Sequence, residues 1–434
     1  MAEIRAFRGV RYDARKVDSL TDVVTPPYDR VPEDVQTALY ARSPLNMVRI
    51  IKGRAEPSDD ERTNVYTRAA CTFQEWLASG VLVRDPEPSL YVYHQEYTFG
   101  GERLVRKGVM ALAKLEPEKV HAHEKTLKGP KEDRLKLMRA SEANFEHVFM
   151  LYNDAKRAAE RALGVAIADR RPDMTAEDAD RNQHRVWRVS DPKAIAAVET
   201  ALRDKDLYIA DGHHRYETSV NYMLECRERG WTPAAPESFD TRLMTLFNVA
   251  EPGMSIRPIH RMVHGVPGFE PEAFLTKAGE RFAVTRCASF EDMEKAVGAG
   301  KERHTFGFYA RGVAAALQLR DERVMDELIG GSWSNDYRRL DVSILHAAIL
   351  EPLLGIDAKA LEEQTNINYS VTLEKGRKGV DSGAEQMFFI LNATSADEVV
   401  RVADHGEKMP QKSTDFYPKL LTGLVLSKME IRKP

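Results

Sequence analysis

The sequence predicts an α/β (or α+β) protein with two domains, on three observations. At 434 residues the chain is longer than one ordinary core accommodates. Strand-like and helix-like apolar periods are mixed along its whole length. One short apolar run, Leu207-Tyr208-Ile209-Ala210, ends in a glycine-containing turn that opens a helix, a unit typical of mixed folds.

Residues 4–12 read as an opening strand and turn. In Val23-Val24-Thr25-Pro26-Pro27-Tyr28-Asp29-Arg30 two prolines fix φ and remove two donors, so the segment is an extended loop. Pro32 suits the first turn of a helix to about Ala41, with Val35 and Leu39 on one face. Val65, Ala69, Phe73, Trp76 and Leu77 recur at helical spacing over 61–79, and Gly80 ends the run. Leu90 to Thr98 and Arg103 to Leu112 flank Phe99-Gly100-Gly101-Glu102, a hairpin signal. A polar stretch, 120–130, leads into a helix over 131–143, and residues 165–184 read as an exposed, irregular excursion.

After the strand 207–210 and the turn 211–215, a helix runs through Arg229, with Tyr216, Val220, Met223 and Leu224 expected on its inward face. A buried strand over 243–249 ends at Glu251-Pro252-Gly253, the expected border between a region 1–250 and a region 251–434. The second region alternates a helix at 271–281, a hairpin at 304–320, a helix at 341–353, a strand at 387–391, a helix at 395–404 and a strand at 424–426.

Composition narrows the class. Lys+Arg at 63 against Asp+Glu at 67 give a net charge of -4, and the two signs are mixed, so no nucleic-acid partner is expected. No window approaches the ~18 apolar residues of a membrane span. The N-terminus lacks a signal-peptide core, and Cys71, Cys226 and Cys287 form no pair in sequence, so a cytoplasmic, reducing location is expected.

The turn Asp211-Gly212-His213-His214-Arg215 concentrates the chemistry. A strand bending into a helix exposes the first amides and the positive end of the dipole, an anion site. Gly212 admits close approach of a phosphate, His213 and His214 can donate to its oxygens, and Arg215 can fork two bonds. Asp211 can orient a histidine or bind Mg2+ through water; the alternative is an N-cap with surface histidines beside it. His121-Ala122-His123-Glu124-Lys125-Thr126 matches no established zinc spacing, so no metal ligand is assigned. Either Lys125, Lys131 and Arg134 reach a phosphate or carboxylate, or the stretch is a solvated face. Gln411-Lys412-Ser413-Thr414 is either a further site loop or a closing polar loop, and His260 and His346 read as structural.

The string Tyr208 to Thr218, YIADGHHRYET, resembles the signature of a large prokaryotic family long labelled a domain of unknown function. Val24 to Asp29, His123 to Thr126, Lys131 to Leu135 and Met409 to Thr414 resemble it too, so the likeness spans most of the chain. That family is in turn similar to the ParB/sulfiredoxin superfamily, which includes the free-serine kinases. The resemblance implies a ParB/sulfiredoxin-like nucleotide-binding core followed by a second mixed α/β domain.

By the same resemblance, Gly212, His213, His214 and Arg215 bind the nucleotide phosphates and Asp29 is the catalytic base, with Glu33 the fallback; from their own chemistry Asp211 and Lys125 join the expected nucleotide-binding set, and His213 and His214 the expected catalytic set. A turn or capping role is the alternative for Asp29. Sulfiredoxin has cysteine where His213 stands, so sulfinic-acid reduction is not implied. No helix-turn-helix reader accompanies the turn as it would in a DNA-binding ParB protein. The implied function is an Mg2+- and ATP- or ADP-dependent phosphotransferase acting on a small hydroxyl-bearing metabolite, free L-serine first. A non-catalytic nucleotide-binding switch or scaffold is the alternative.

Overall fold

The computed structural model describes residues 3–122 and 128–434. The chain forms two compact units, one built from the residues up to Ser255 together with Pro418–Pro434, the other from Ile256–Tyr417. The segment Pro418–Pro434, placed by the sequence reading in the C-terminal region, thus belongs to the first unit.

The first unit is built on a nine-stranded mixed sheet among the described residues. In chain order its strands are β1 (Ile4–Arg5), β2 (Leu90–Phe99), β3 (Glu102–Lys114), β4 (Val120–Ala122), β5 (Val148–Tyr152), β6 (Met174–Glu177), β7 (Gln183–Val189), β8 (Leu207–Asp211) and β9 (Thr241–Asn248). The spatial order is β4-β8-β5-β9-β3-β2-β7-β6, with β1 pairing with β3 at Leu112 and Ala113. β4 runs parallel to β8 and β9 parallel to β5; the other pairs are antiparallel.

The β2–β3 hairpin closes on Phe99↔Glu102 as the sequence predicts. Gly100 and Gly101, at φ 59° and 84°, supply the two left-handed positions of a tight hairpin turn.

Five helices matter for the first unit's cores and site: α1 (Val65–Ala78), α2 (Lys128–Ser141), α3 (Ala158–Ile167), α4 (Pro192–Leu202) and α5 (His213–Glu228). α1 starts later than predicted, because Asn64 and Thr67 form a reciprocal capping box that sets its first turn. Leu90, Val92, Val109, Met150, Leu163, Val198, Leu207 and Met223 belong to one core, while Tyr28, Phe73, Trp76 and Phe145 form a second.

Two expectations fail here. Residues 165–184 are not an irregular excursion: they hold the end of α3 and the edge strand β6, which buries Met174 and Ala176. Leu424–Leu426 is no strand: Leu424 and Val425 are buried as irregular chain, Leu426 makes a single β-bridge to Val10, and the strand pairing falls on Ser427–Lys428. Burial alone does not distinguish a strand from a buried loop.

The second unit holds a six-stranded antiparallel sheet. Its predicted hairpin is Thr305–Ala310 with Val313–Leu319, and its predicted last helix is Ala396–Asp404. That helix begins with a capping box: the Ser395 hydroxyl accepts from the Glu398 amide at 3.2 Å, and the Glu398 carboxylate accepts from the Ser395 amide at 2.7 Å. The helix predicted over 341–353 contains a π-helical segment, His346–Leu350, in its middle. Among the described residues no helix is long and apolar enough to cross a membrane.

Candidate functional site

β8 is buried from Leu207 to Ala210, and its last residue, Asp211, emerges half-buried at the sheet end. Gly212 is the N-cap of α5, at φ 98° and ψ 29°, so Asp211 is not the cap. A Cβ at Gly212 would stand 2.9 Å from the Arg215 Cζ. The glycine is therefore required twice, by its φ and by the guanidinium folded back over it.

Arg215 does not point outward. It is 5% exposed; its Nη1 donates to the His147 carbonyl, and its Nη2 reaches the Asp211 Oδ2 at 3.4 Å. Both ends of the predicted phosphate fork are thus engaged within the protein. Lys419 Nζ lies 3.5 Å from the same Asp211 oxygen. Burial would raise the Asp211 carboxyl, but Lys419, Arg215, Arg30 and His213 together hold it well below the usual carboxylate range. His213 is buried and His214 half-buried.

Asp29 and Arg30 lie on a single 3-10 turn, Tyr28–Arg30, and both are exposed. Pro26 and Pro27 precede this turn and set its extended approach, as the two prolines predict. Burial would lower the Arg215 guanidinium, yet Asp211, Glu146, Asp29 and Tyr28 keep it raised. Asp29 and the 211–215 turn therefore share one electrostatic neighbourhood. Glu33 is exposed on the first turn of the next helix, Glu33–Arg42.

Behind the turn sits a residue the sequence reading did not single out. Glu146 accepts from the Tyr28 amide at 3.0 Å and from Arg134 Nη1 at 3.2 Å. Its backbone carbonyl accepts from Arg242 Nη2 at 2.5 Å. Arg134 also donates to the Ile51 carbonyl at 2.8 Å and lies over the Tyr28 ring at 4.1 Å. Arg134 is thus buried lattice, not a ligand-reaching side chain, and Lys131 is paired to Glu217 at 2.9 Å.

A cavity of about 20 Å3 remains between Arg134, Glu146, Arg215, Thr218 and Arg242, room for about one water. Burial first, and then Arg215, pushes the Arg242 guanidinium down to about 9. His147 is locked by Thr245 Oγ1 at 2.8 Å and the Val425 carbonyl at 2.7 Å. Burial holds it down to about 4, so it is neutral, with Nε2 carrying the proton that the carbonyl requires.

The other candidates are dispersed. His121 packs on the Tyr208 ring at 4.9 Å and faces Asp206 at 3.7 Å. His123, Glu124, Lys125 and Thr126 lie outside the described residues. Among the described residues no cluster of three or more His, Cys, Asp or Glu side chains is placed to hold a metal ion. Gln411 to Thr414 is a loop of the second unit in which Lys412 has φ 57° and the Ser413 carbonyl accepts from Thr394. His260 accepts from the Leu391 amide at 3.2 Å and is held down to about 3 by burial, a structural histidine. His346 is likewise held down by burial.

Fold and site together define a mixed α/β protein with a buried, charge-balanced strand–turn–helix at the end of its larger sheet. The chain belongs to the family described as Protein of unknown function (DUF1015), which matches residues 4–343. No curated protein matches it. Among solved structures it is similar to a free serine kinase in complex with AMP, at 13% identity over 71% of this chain and 86% of that one, TM-score 0.34. A conserved hypothetical protein from Pyrococcus furiosus is 12% identical over 72% and 92% of the two chains, TM-score 0.33. SbnI with C-terminal truncation from Staphylococcus aureus is 9% identical over 72% and 85%, TM-score 0.33.

Proposed function

We propose that this chain is a nucleotide-dependent phosphotransferase acting on a small hydroxyl-bearing metabolite, with free L-serine the first acceptor to test. The observation that carries the reading is the exposed Asp29 carboxylate, whose charge acts on Arg215 while Arg30 and Lys419 act on Asp211 of the same turn. Helix N-termini with adjacent cations favour phosphate oxygens. In this reading the phosphates lie over Gly212–His214, and His213 and His214 stabilise charge on the transferring group. Lys125 is a further proposed phosphate ligand.

Arg215 then acts through Asp211 and the turn, as a positioning residue. Asp29 takes the acceptor's hydroxyl proton as the new O–P bond forms. The terminal P–O bond of the nucleotide breaks, leaving ADP from ATP or AMP from ADP. The described residues form no dedicated magnesium cage, since Asp211 is already paired with Lys419 and Arg215. Mg2+ would accompany the nucleotide, as it does where phosphates supply most of the ligands. A cytoplasmic setting suits the three free cysteines.

The test is phosphorus NMR of the protein with Mg2+, ATP or ADP, and a panel of hydroxyl-bearing amino acids. A phosphomonoester signal that is lost in Asp29→Asn, with nucleotide affinity retained, supports the reading. Absence of both product and nucleotide binding rejects it. The inward engagement of Arg215 favours a second reading, a non-catalytic nucleotide-binding switch. That reading requires nucleotide binding without turnover, and no dependence on Asp29.

A further inference from the structure

Lys419 reaches the Asp211 turn from residues 418–421, which belong to no helix or strand. Two buried side chains hold this segment in place. Arg106 and Gln95 stand opposite one another on β3 and β2; Arg106 is 1% exposed and Gln95 is fully buried. Arg106 Nε donates to Gln95 Oε1 at 3.0 Å, and its Nη2 donates to the Pro418 carbonyl. Gln95 Nε2 donates in turn to the Lys419 carbonyl at 2.9 Å. A little further on, Thr422 and Thr25 exchange backbone bonds of 2.8 and 3.1 Å, four residues ahead of Asp29. One short segment therefore carries Lys419 and braces the loop of the proposed base.

A guanidinium is costly to bury. Arg106 lies over the Phe149 and Phe247 rings at 4.6 and 4.9 Å, and burial pushes it down to about 10. Its bonds to Gln95 and Pro418 fix the backbone from which the lysine reaches.

The ammonium is placed to do more than neutralise Asp211. Its 3.5 Å from Oδ2 is longer than the ~2.8 Å of a charge-assisted hydrogen bond, and both side chains keep accessible surface, 16% and 23%. An ammonium carries three donors, so a carboxylate and a phosphate oxygen can share it. Asp211 immediately precedes Gly212, the N-cap of α5, where helix amides favour phosphate. We infer that Lys419 is a further catalytic residue: its ammonium binds the terminal phosphate of the nucleotide, Asp211 orients it, and Arg106 and Gln95 position its backbone.

This inference rests on the phosphotransferase reading. In the transfer the acceptor oxygen bonds to phosphorus as its proton passes to Asp29. The P–O bond to the nucleotide breaks, its electron pair leaving on the nucleotide, and Lys419 supplies charge and donors without exchanging a proton.

The test is calorimetric titration of the full chain with ATP, ADP and AMP in the presence of Mg2+, beside turnover. Lys419→Met should cut the preference for the donor nucleotide over AMP by at least about tenfold, with AMP affinity within about threefold of the parent. It should lower kcat at least about 100-fold, and Lys419→Arg should recover part of both. Gln95→Glu keeps an acceptor for Arg106 and deletes the donor to Lys419. It should weaken the same preference by at least about threefold, a readout that a loss of packing elsewhere leaves alone.

Asp211→Asn/Lys419→Met removes both charges, so the turn keeps no unpaired carboxylate should the single variant fail to fold. It should be as impaired as Lys419→Met. Recovery of donor preference and turnover in the double variant would reduce Lys419 to a counter-ion and overturn the inference, as would an undiminished preference in Lys419→Met. A parent that binds ATP or ADP without turnover fails the phosphotransferase reading alone; lost preference in Lys419→Met would still assign the lysine to the terminal phosphate. No nucleotide binding by the parent would overturn both.

Discussion

The Arg215 guanidinium donates to the His147 carbonyl and reaches Asp211 at 3.4 Å, folded back over Gly212. One arginine thereby ties the end of β8, the first turn of α5 and the start of β5 together. The turn is a braced structure before it is a ligand site.

Replacing Gly212 by alanine should be expensive for that reason. The residue needs φ 98°, and the new Cβ would lie 2.9 Å from the Arg215 Cζ. A loss of roughly 1–3 kcal/mol is expected from the backbone alone. Urea denaturation checks it; a variant as stable as the parent would mean that the turn can relax.

His147 makes stability depend on pH with a definite sign. Its folded value is about 4 against 6.5 for the free group, so the unfolded chain binds the extra proton between these values. Its contribution is complete above pH 6.5 and is lost as the pH falls toward 4, a span of about 3 kcal/mol. Denaturation curves across that window should show stability falling with acid, and His147→Asn should flatten the slope whatever it does to the plateau.

Two of the basic residues of α2, Arg134 and Lys131, should respond very differently. Arg134 is buried against Glu146 and Tyr28, and Arg134→Met leaves Glu146 without its charged partner, costing about 3–5 kcal/mol. Lys131 sits in a partly exposed pair with Glu217, and Lys131→Met should cost under about 1 kcal/mol. Equal losses in a thermal melt would contradict the burial assignment.

Ser395→Ala removes one half of the capping box on the last helix of the second unit. A destabilisation of about 1 kcal/mol is expected. Because the two units need not unfold together, the readout is hydrogen exchange at the amides of 396–404, which should speed up while β5 amides keep their protection.

Asp29→Asn is expected to leave the denaturation midpoint unchanged, since the side chain is exposed on its 3-10 turn. A large shift in that midpoint would assign Asp29 to the scaffold and remove it from catalysis.

Much of the local architecture was legible in the residues themselves. The hairpin at Gly100-Gly101 and the strand–turn–helix at 207–228 follow from apolar period and turn chemistry, which act over a few residues. The inward face of α5 was only half legible: Tyr216 and Met223 are buried, but Leu224 is 49% exposed while Thr218, Ser219 and Cys226 are inside. A helical period fixes a stripe only when its polar members stay out, and here small hydroxyls pack as core.

Sequence alone determined the mixed α/β class, the family resemblance and the turn that opens α5, because each is written in contiguous residues. Tertiary structure alone decided that Arg215 turns inward, that Glu146 joins Tyr28 to Arg134, and that Lys419 reaches Asp211 from the far end of the chain. Such pairs join residues tens to hundreds of positions apart. A charged side chain carries no local mark of whether its partner is a ligand or another part of the same chain; the folded backbone supplies that partner.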